Sequence, residues 1–426
     1  MKKILFGLFI FLFASVIIIT SNPAVFAAKT KAPVTITFWF PSSDKMINAY
    51  FFDAAKAFEK THPQVNVDVT ALPPSQADVD LKLNAAVLSG TYPDVQSSML
   101  TAIGTRGALG EFYPLDRLVS RWSDKADIYQ NVYPIGKYKG KLLGLGFYPN
   151  PNVLAYRKDF FKEAGLDPNH PPANWDELAA YAKKLTVRDG NNVIRAGFDI
   201  PALNGTVFIK PFCRQNGAVV IDDKREKPML DDSKMVGAFE YLMKLKNENV
   251  SNPYDFLKKD SIPFVYGKSA MSFMDPSQVI GLLNSNPDLK DKIALAPVLT
   301  GPKKKSGYCA YRLFTISNSS KHKNEAWEFI KFMMSKEQMQ DRYVNLKIPP
   351  VWQSMEKDYI AKDPAFNGVI MDYVRNGQGD NVIAWNTLAT KYLYLAWEEA
   401  YNGRKTPARA LKDAQAGLLN ELKSIK

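Results

Sequence analysis

Two periodicities alternate along this chain, one of strands and one of helices. Residues 34–40 (VTITFWF) are β-branched and aromatic, the composition of a buried strand. Pro41-Ser42-Ser43 ends that run, and Asp44 stands where a helix cap belongs. From there to about Lys60 the residues Ile47, Tyr50, Phe51, Ala54 and Phe58 recur three or four apart, one buried stripe of a helix. Thr61-His62-Pro63 terminates it, and residues 65–69 alternate as a second strand. A second helix is predicted over about 78–88, stopped by Ser89-Gly90, with a short strand at Asp94-Val95 after it. This alternation predicts an α/β fold with a largely parallel sheet. Ligands of such sheets bind outside the carboxyl ends of strands. The residues after Phe40 and after Val95 are therefore candidates on geometry alone.

Residues 140–148 (GKLLGLGFY) read as a strand with glycines, and 153–156 resume extended character. Between them Pro149-Asn150-Pro151-Asn152 is expected to interrupt the strand, as a hinge or as an ordinary surface turn. Asn174 before Trp175, with Glu177 three positions on, is a capping-box pattern, followed by the stripe Leu178, Tyr181, Ala182 and Leu185. One helix is predicted over 323–340, where Ala326, Trp327, Ile330, Met333 and Met334 are core positions. Thr406 and Pro407 open a last helix with Leu411, Ala414, Leu418, Leu422 and Ile425 facing inward.

The chain has 426 residues, beyond the ~250–300 at which a single core stops growing, so two domains are expected. Lys2 and Lys3, the apolar run 4–19, Asn22-Pro23 and Val25-Phe26-Ala27 read as a secretory signal peptide over 1–27, cleaved after Ala27. An uncleaved anchor is the alternative. The expected location is therefore periplasmic or cell-surface, with no cysteine near the cut to carry a lipid. The net charge is +12, but the lysines are scattered. The cluster Lys303-Lys304-Lys305 beside Gly301-Pro302 reads as a solvated turn, and no nucleic-acid motif accompanies it. Cys213 and Cys309 are expected to be free buried thiols rather than a disulfide.

His62, His170 and His322 sit in turn or surface contexts, and the motifs of zinc, phosphate-loop and serine-hydrolase chemistry are missing. Asp222-Asp223 and Asp231-Asp232 lie in polar turn regions. The expectation is binding without turnover: no catalytic residue, no metal, no cofactor.

Several blocks in order carry a resemblance. They are FEKTHPQVNVDV (58–69), AVLSGTYPDV (86–95), LGEFYPLDRLV (109–119), LAYRKDFFKEAGL (154–166) with ANWDEL (173–178), FVYGKSAMSF (264–273), APVLTGP (296–302) and TISNSSKHKNEAWEFIKFMMSKEQMQ (315–340). On these the chain resembles the extracellular solute-binding proteins of bacterial ABC importers, in the carbohydrate group that includes maltose-binding protein. One departure is Met274-Asp275-Pro276-Ser277, where the family often has a glycine and an aromatic.

The resemblance implies two α/β lobes of mostly parallel sheet joined by crossing segments, with the ligand between them. Lobe one is placed at 28–148 plus 300–340 and lobe two at 149–299 plus 341–426. Hinges fall near 148–152, 297–300 and 342–348. It implies a sugar or oligosaccharide as ligand, permease subunits of an ABC importer as partner, a monomer, and no nucleic acid. Stacking planes and polar fingers are expected from Trp39, Ser42, Ser43, Ser97 and Ser98 of lobe one. Tyr148, Asn150 and Asn152 are expected from the hinge, and Asp275 and Ser277 from lobe two. Tyr308, Tyr311, Arg312, Trp352 and Trp385 complete the set. Arg312 and the positive charge lean toward an anionic sugar. An iron, polyamine or peptide binder, and a polysaccharide-active enzyme, are the other readings.

Overall fold

The computed structural model describes residues 32–201, 205–222, 227–248, 250–251 and 263–425; the signal segment lies outside them. Seven strands form one mixed sheet: β1 Val34–Pro41, β2 Val65–Leu72, β3 Val95–Met99, β4 Leu145–Arg157, β5 Met271–Met274, β6 Ile293–Ala296 and β7 Tyr308–Ile316. The order is β5-β4-β7-β3-β1-β2, with β6 also on β4. Strands β1, β2 and β3 run parallel, while β7, β4, β5 and β6 pair antiparallel with their neighbours. Helices pack around this sheet, among them α1 Lys45–Thr61, α2 Gln76–Ser89, α3 Leu100–Ala108, α4 Trp175–Leu185, α5 Gly205–Gln215, α6 Pro276–Ser285, α7 Lys323–Met333, α8 Pro364–Asn376, α9 Asn386–Tyr401 and α10 Pro407–Ile425. Among the described residues, none of the helices is long and apolar enough to cross a membrane.

Strand β1 buries alternate residues, Ile36, Phe38 and Phe40, against α1. Phe51 of α1 lies 5.4 Å from Phe38 and 4.4 Å from Phe40, ring to ring, and Phe329 of α7 closes on Phe38 at 5.3 Å. The same alternation turns Trp39 to the opposite face, where it packs on Leu72, Val79 and Leu83. Asp44 caps α1 as expected, its Oδ1 accepting from the Met46 and Ile47 amides. Such a cap stabilises the helix by about 1 kcal/mol. Gly90 ends α2 in the left-handed region at φ +72°.

The prolines do not interrupt β4, which runs unbroken for 13 residues. Pro149 and Pro151 are two apart, so their missing N–H groups fall on one alternation. Only alternate pairs of an antiparallel ladder carry hydrogen bonds, and Tyr148, Asn150 and Asn152 are left to carry them to β7. Among the described residues the other edge of this half of β4 has no strand partner, because β5 and β6 pair only with residues 153–157. Proline is tolerated at such an edge.

Strand β4 also joins the cores. Val153 and Ala155 enter one apolar cluster with Phe38, Phe147 and Phe314, while Leu154 and Tyr156 enter a second with Phe198, Phe212 and Trp397.

The helix predicted over 323–340 is two, because Ser335 accepts a hydrogen bond from the Gln338 amide and caps a new start, Lys336–Asn345. Arg342 of this second helix is buried; it donates to Tyr50 Oη at 2.9 Å and to the Met333 carbonyl at 2.7 Å. Trp352 lies 5.8 Å from Trp122. The stretch 341–352 thus packs on residues of the N-terminal part of the chain, Tyr50 and Trp122, and its large side chains join their core. Cys213 and Cys309 are free and buried.

Candidate ligand-binding pocket

Side chains alternate along a strand, and directly opposed residues share a face. Asn152 opposes Tyr308, Asn150 opposes Ala310, and Tyr148 opposes Arg312. These six form one stripe across β4 and β7. Pro149, Pro151, Cys309 and Tyr311 fall on the other face and are buried.

Over the stripe lies a pocket of about 480 Å³, within the ~300–1,000 Å³ of small-molecule sites. Asn150, Asn152 and Tyr308 form its floor. Ser272, Phe273 and Asp275 enter from β5 and the start of α6, Gln278 from α6, Val207 and Phe208 from α5, and Asp199 from the segment before α5. The lining therefore pairs apolar ring surface with amides, two hydroxyls and two carboxyls.

The carboxyls are unusual. Asp199 is 5 % exposed, and its Oδ2 accepts from the Ser272 hydroxyl at 3.2 Å. Its Oδ1 is buried with no hydrogen-bond partner among the described residues. Burial pushes the Asp199 carboxyl up to about 7, with Ser272 opposing. Burial pushes Asp275 up to about 6, opposed by a hydrogen bond from the Asn150 amide.

Beside the pocket, Tyr308 donates to Asp380 Oδ2 at 2.8 Å, and Asp380 is ion-paired with Lys210 of α5. Arg214, one turn on, donates to the carbonyls of Gln378 and Gly379. The segment 378–380 is thereby fixed to α5. Burial holds the Tyr308 hydroxyl well above its usual range, so it stays a donor.

Of the expected site residues, Asn150, Asn152, Asp275 and Tyr308 line the pocket. Tyr148 and Arg312 extend the same stripe toward β1: Arg312 lies 5.8 Å over the Tyr148 ring and donates to the Pro41 carbonyl. Ser277 is exposed on the first turn of α6.

Trp39, Ser97 and Ser98 line a separate crevice with Arg106, whose free volume of about 10 Å³ is at the lower limit for one water. Ser98 bonds to Thr315 Oγ1 at 3.0 Å, while Ser97 Oγ is buried without a partner. Ser42 Oγ accepts from the Asp44 amide, a turn role, and Ser43 is exposed. Trp385 is half-buried at the start of α9 against the second core.

Two expectations are corrected. Tyr311 is on the buried face of β7 and donates to the Val374 carbonyl. Trp352 is 2 % exposed and packs on Trp122. Both are core because register and packing, not residue type, decide which aromatics reach a pocket.

Asp199, Phe208, Ser272 and Phe273 were missed. Asp199 left one signal, a lone acid between Phe198 and Ile200 in an apolar run.

Residues 43–340 match the model of the bacterial extracellular solute-binding protein family. The chain belongs to that family. The sn-glycerol-3-phosphate-binding periplasmic protein UgpB of Escherichia coli O1:K1 is 27% identical over 252 residues, 54% of this chain and 56% of UgpB. The sugar-binding protein MalE of Xanthomonas citri superposes with a TM-score of 0.81 at 20% identity, covering 92% of this chain and 99% of MalE, a likeness of fold. CpMnBP1, solved with mannotriose bound, superposes with a TM-score of 0.74 at 26% identity over 90% of this chain and 100% of its own. The fold of this solute-binding protein is accordingly the two-lobed one, and its pocket lies on the strands β4 and β7.

Proposed function

We propose that this solute-binding protein captures a sugar or oligosaccharide in the β4/β7 pocket and hands it to the permease subunits of an ABC importer. The pocket lining carries the proposal. Sugar hydroxyls in a partly dry site each need a partner, and unpaired ones are costly. Asn150, Asn152, Ser272 and Tyr308 offer donors and acceptors. Phe208 and Phe273 offer apolar ring surface to the sugar faces. The mannotriose held by CpMnBP1 supports the ligand class.

In this reading β4 and β7 are the crossing strands. Bending them swings β1–β3 relative to β5 and β6, and ligand favours the closed state by touching both sides. Lobe one then takes roughly 28–148, the C-terminal half of β7 and onward through Trp352; lobe two takes the rest. The protein is exported after cleavage of the signal segment and acts as a monomer without nucleic acid. It returns its ligand unchanged, being no enzyme.

The test is calorimetry and small-angle scattering of the exported form with mannotriose and maltotriose, with chromatography of the recovered sugar. Micromolar binding, about −8 kcal/mol, with a smaller radius of gyration and intact sugar is expected. No heat and unchanged scattering at saturating saccharide of any charge, neutral, amine-bearing or uronate, would overturn the proposal.

A further inference from the structure

We propose that the pocket selects a non-anionic, donor-rich sugar, neutral or amine-bearing, whose hydroxyl or amino groups are held by the Asp199 and Asp275 carboxylates. This rests on the sugar-binding reading above and deepens it.

Two observations point the same way. The first is an acceptor left over: Asp199, in the pocket wall, has its Oδ1 buried with no partner among the described residues, although Oδ2 is held by Ser272. A buried acceptor without a donor is costly, and a ligand hydroxyl or ammonium would supply that donor. The second is that no cation bonds to either carboxyl among the described residues: the nearby ones are held by other groups. Lys210 is paired with Asp380 and bonded to Thr390, Arg214 is spent on two main-chain carbonyls, and Arg312 is turned to the Pro41 carbonyl.

The groups facing Asp199 are Ser272 of β5 and Tyr401 of α9; those facing Asp275 are Asn150 and Tyr148 of β4 and Cys309 of β7. None is cationic. A phosphate or carboxylate placed against these two groups would meet two carboxyls and, among the described residues, no cation bonded to either, which disfavours it. The lean toward an anionic sugar is thus reversed: Arg312, which carried it, is engaged elsewhere.

Ligand donors favour the ionised carboxylates, so the complex takes up fewer protons than the free protein. Free Asp199 and Asp275 titrate at about 7 and about 6. Affinity is therefore full above that range and lost as pH falls through it.

The experiment measures Kd by calorimetry at pH 8 and pH 5 for mannotriose, a glucosamine trimer, a glucuronate trimer and sn-glycerol-3-phosphate. The parent protein is compared with Asp199→Asn, Asp275→Asn and the double variant, all checked for an unchanged circular dichroism spectrum. Expected is binding of the neutral or amine-bearing trimer at least tenfold tighter than of either anion, weakening from pH 8 to pH 5. Each single variant loses at least tenfold at pH 8, and the double variant shows a flat pH profile. Sugar binding indifferent to both substitutions and to pH would overturn this inference and leave the sugar-binding reading standing. Binding of an anion in preference to every uncharged or amine-bearing sugar would overturn it as well. An anion bound with no saccharide at all would overturn both.

Discussion

Replacing Asp380 by alanine should destabilise the protein more than any other single change of a polar residue near the pocket. The carboxylate is ion-paired with Lys210 and accepts from Tyr308 at 2.8 Å, and the two charged side chains are 9 % and 5 % exposed. Removing it leaves the Lys210 ammonium buried with Thr390 Oγ1 at 3.3 Å as its remaining hydrogen bond. Breaking a buried pair from one side costs about 3–5 kcal/mol, because the surviving charge keeps its desolvation penalty. Asp380→Asn keeps an acceptor for Tyr308 and should cost less, about 1.5–3 kcal/mol, the worth of hydrogen bonds to a charged group.

The pairing of Lys210→Met with Asp380→Leu removes both charges and should cost less than Asp380→Ala alone. Burial raises the Asp380 carboxyl, but the Lys210 charge and hydrogen bond, Tyr308 and Arg214 outweigh it and hold it below the ordinary range. A depressed carboxyl contributes stability above its unfolded value of about 3.9 and loses it as pH falls through the folded value. The gap between parent and Asp380→Asn should therefore begin to narrow below about pH 4 and go on narrowing as pH falls further. Urea unfolding followed by tryptophan fluorescence at pH 7 and at pH 3.5 measures all of this. A cost below about 1 kcal/mol for Asp380→Ala, or a double variant as unstable as the alanine, would refute the reasoning.

Trp352→Ala should cost about 3–5 kcal/mol in urea unfolding yet leave sugar affinity unchanged, because the side chain is in the core beside Trp122. Asn152→Ala should do the opposite: a Kd weaker by up to about tenfold, the worth of a hydrogen bond, with the melting temperature nearly constant. Cys213 and Cys309 are buried, and desolvation pushes each thiol up to about 12. Neither should react with a thiol reagent at pH 8 until urea unfolds the chain, and prompt labelling of the native protein would show the burial to be wrong.

The elements were legible where one signal spoke alone. Asp44 before a three-or-four spacing yields a capped helix, and VTITFWF yields a strand with alternate phenylalanines buried. Misreadings occurred where two signals competed. Pro149 and Pro151 read as a break, although prolines two apart on an unpartnered edge leave a strand intact. The serine cap at 335 was hidden inside an apolar spacing that continued past it.

The sequence by itself determined the α/β alternation, the caps and turns, and the Asn150-Asn152 spacing. These follow from interactions between residues close along the chain. Only the tertiary structure decided that Tyr308 reaches the pocket while Tyr311, three residues on, is buried, since the pairing of β4 with β7 fixes which face each presents. It also decided that Asp199 and Asp275 line one pocket. Those carboxyls are 76 residues apart, and their shared burial, which gives both their chemistry, exists only once the chain between them has folded.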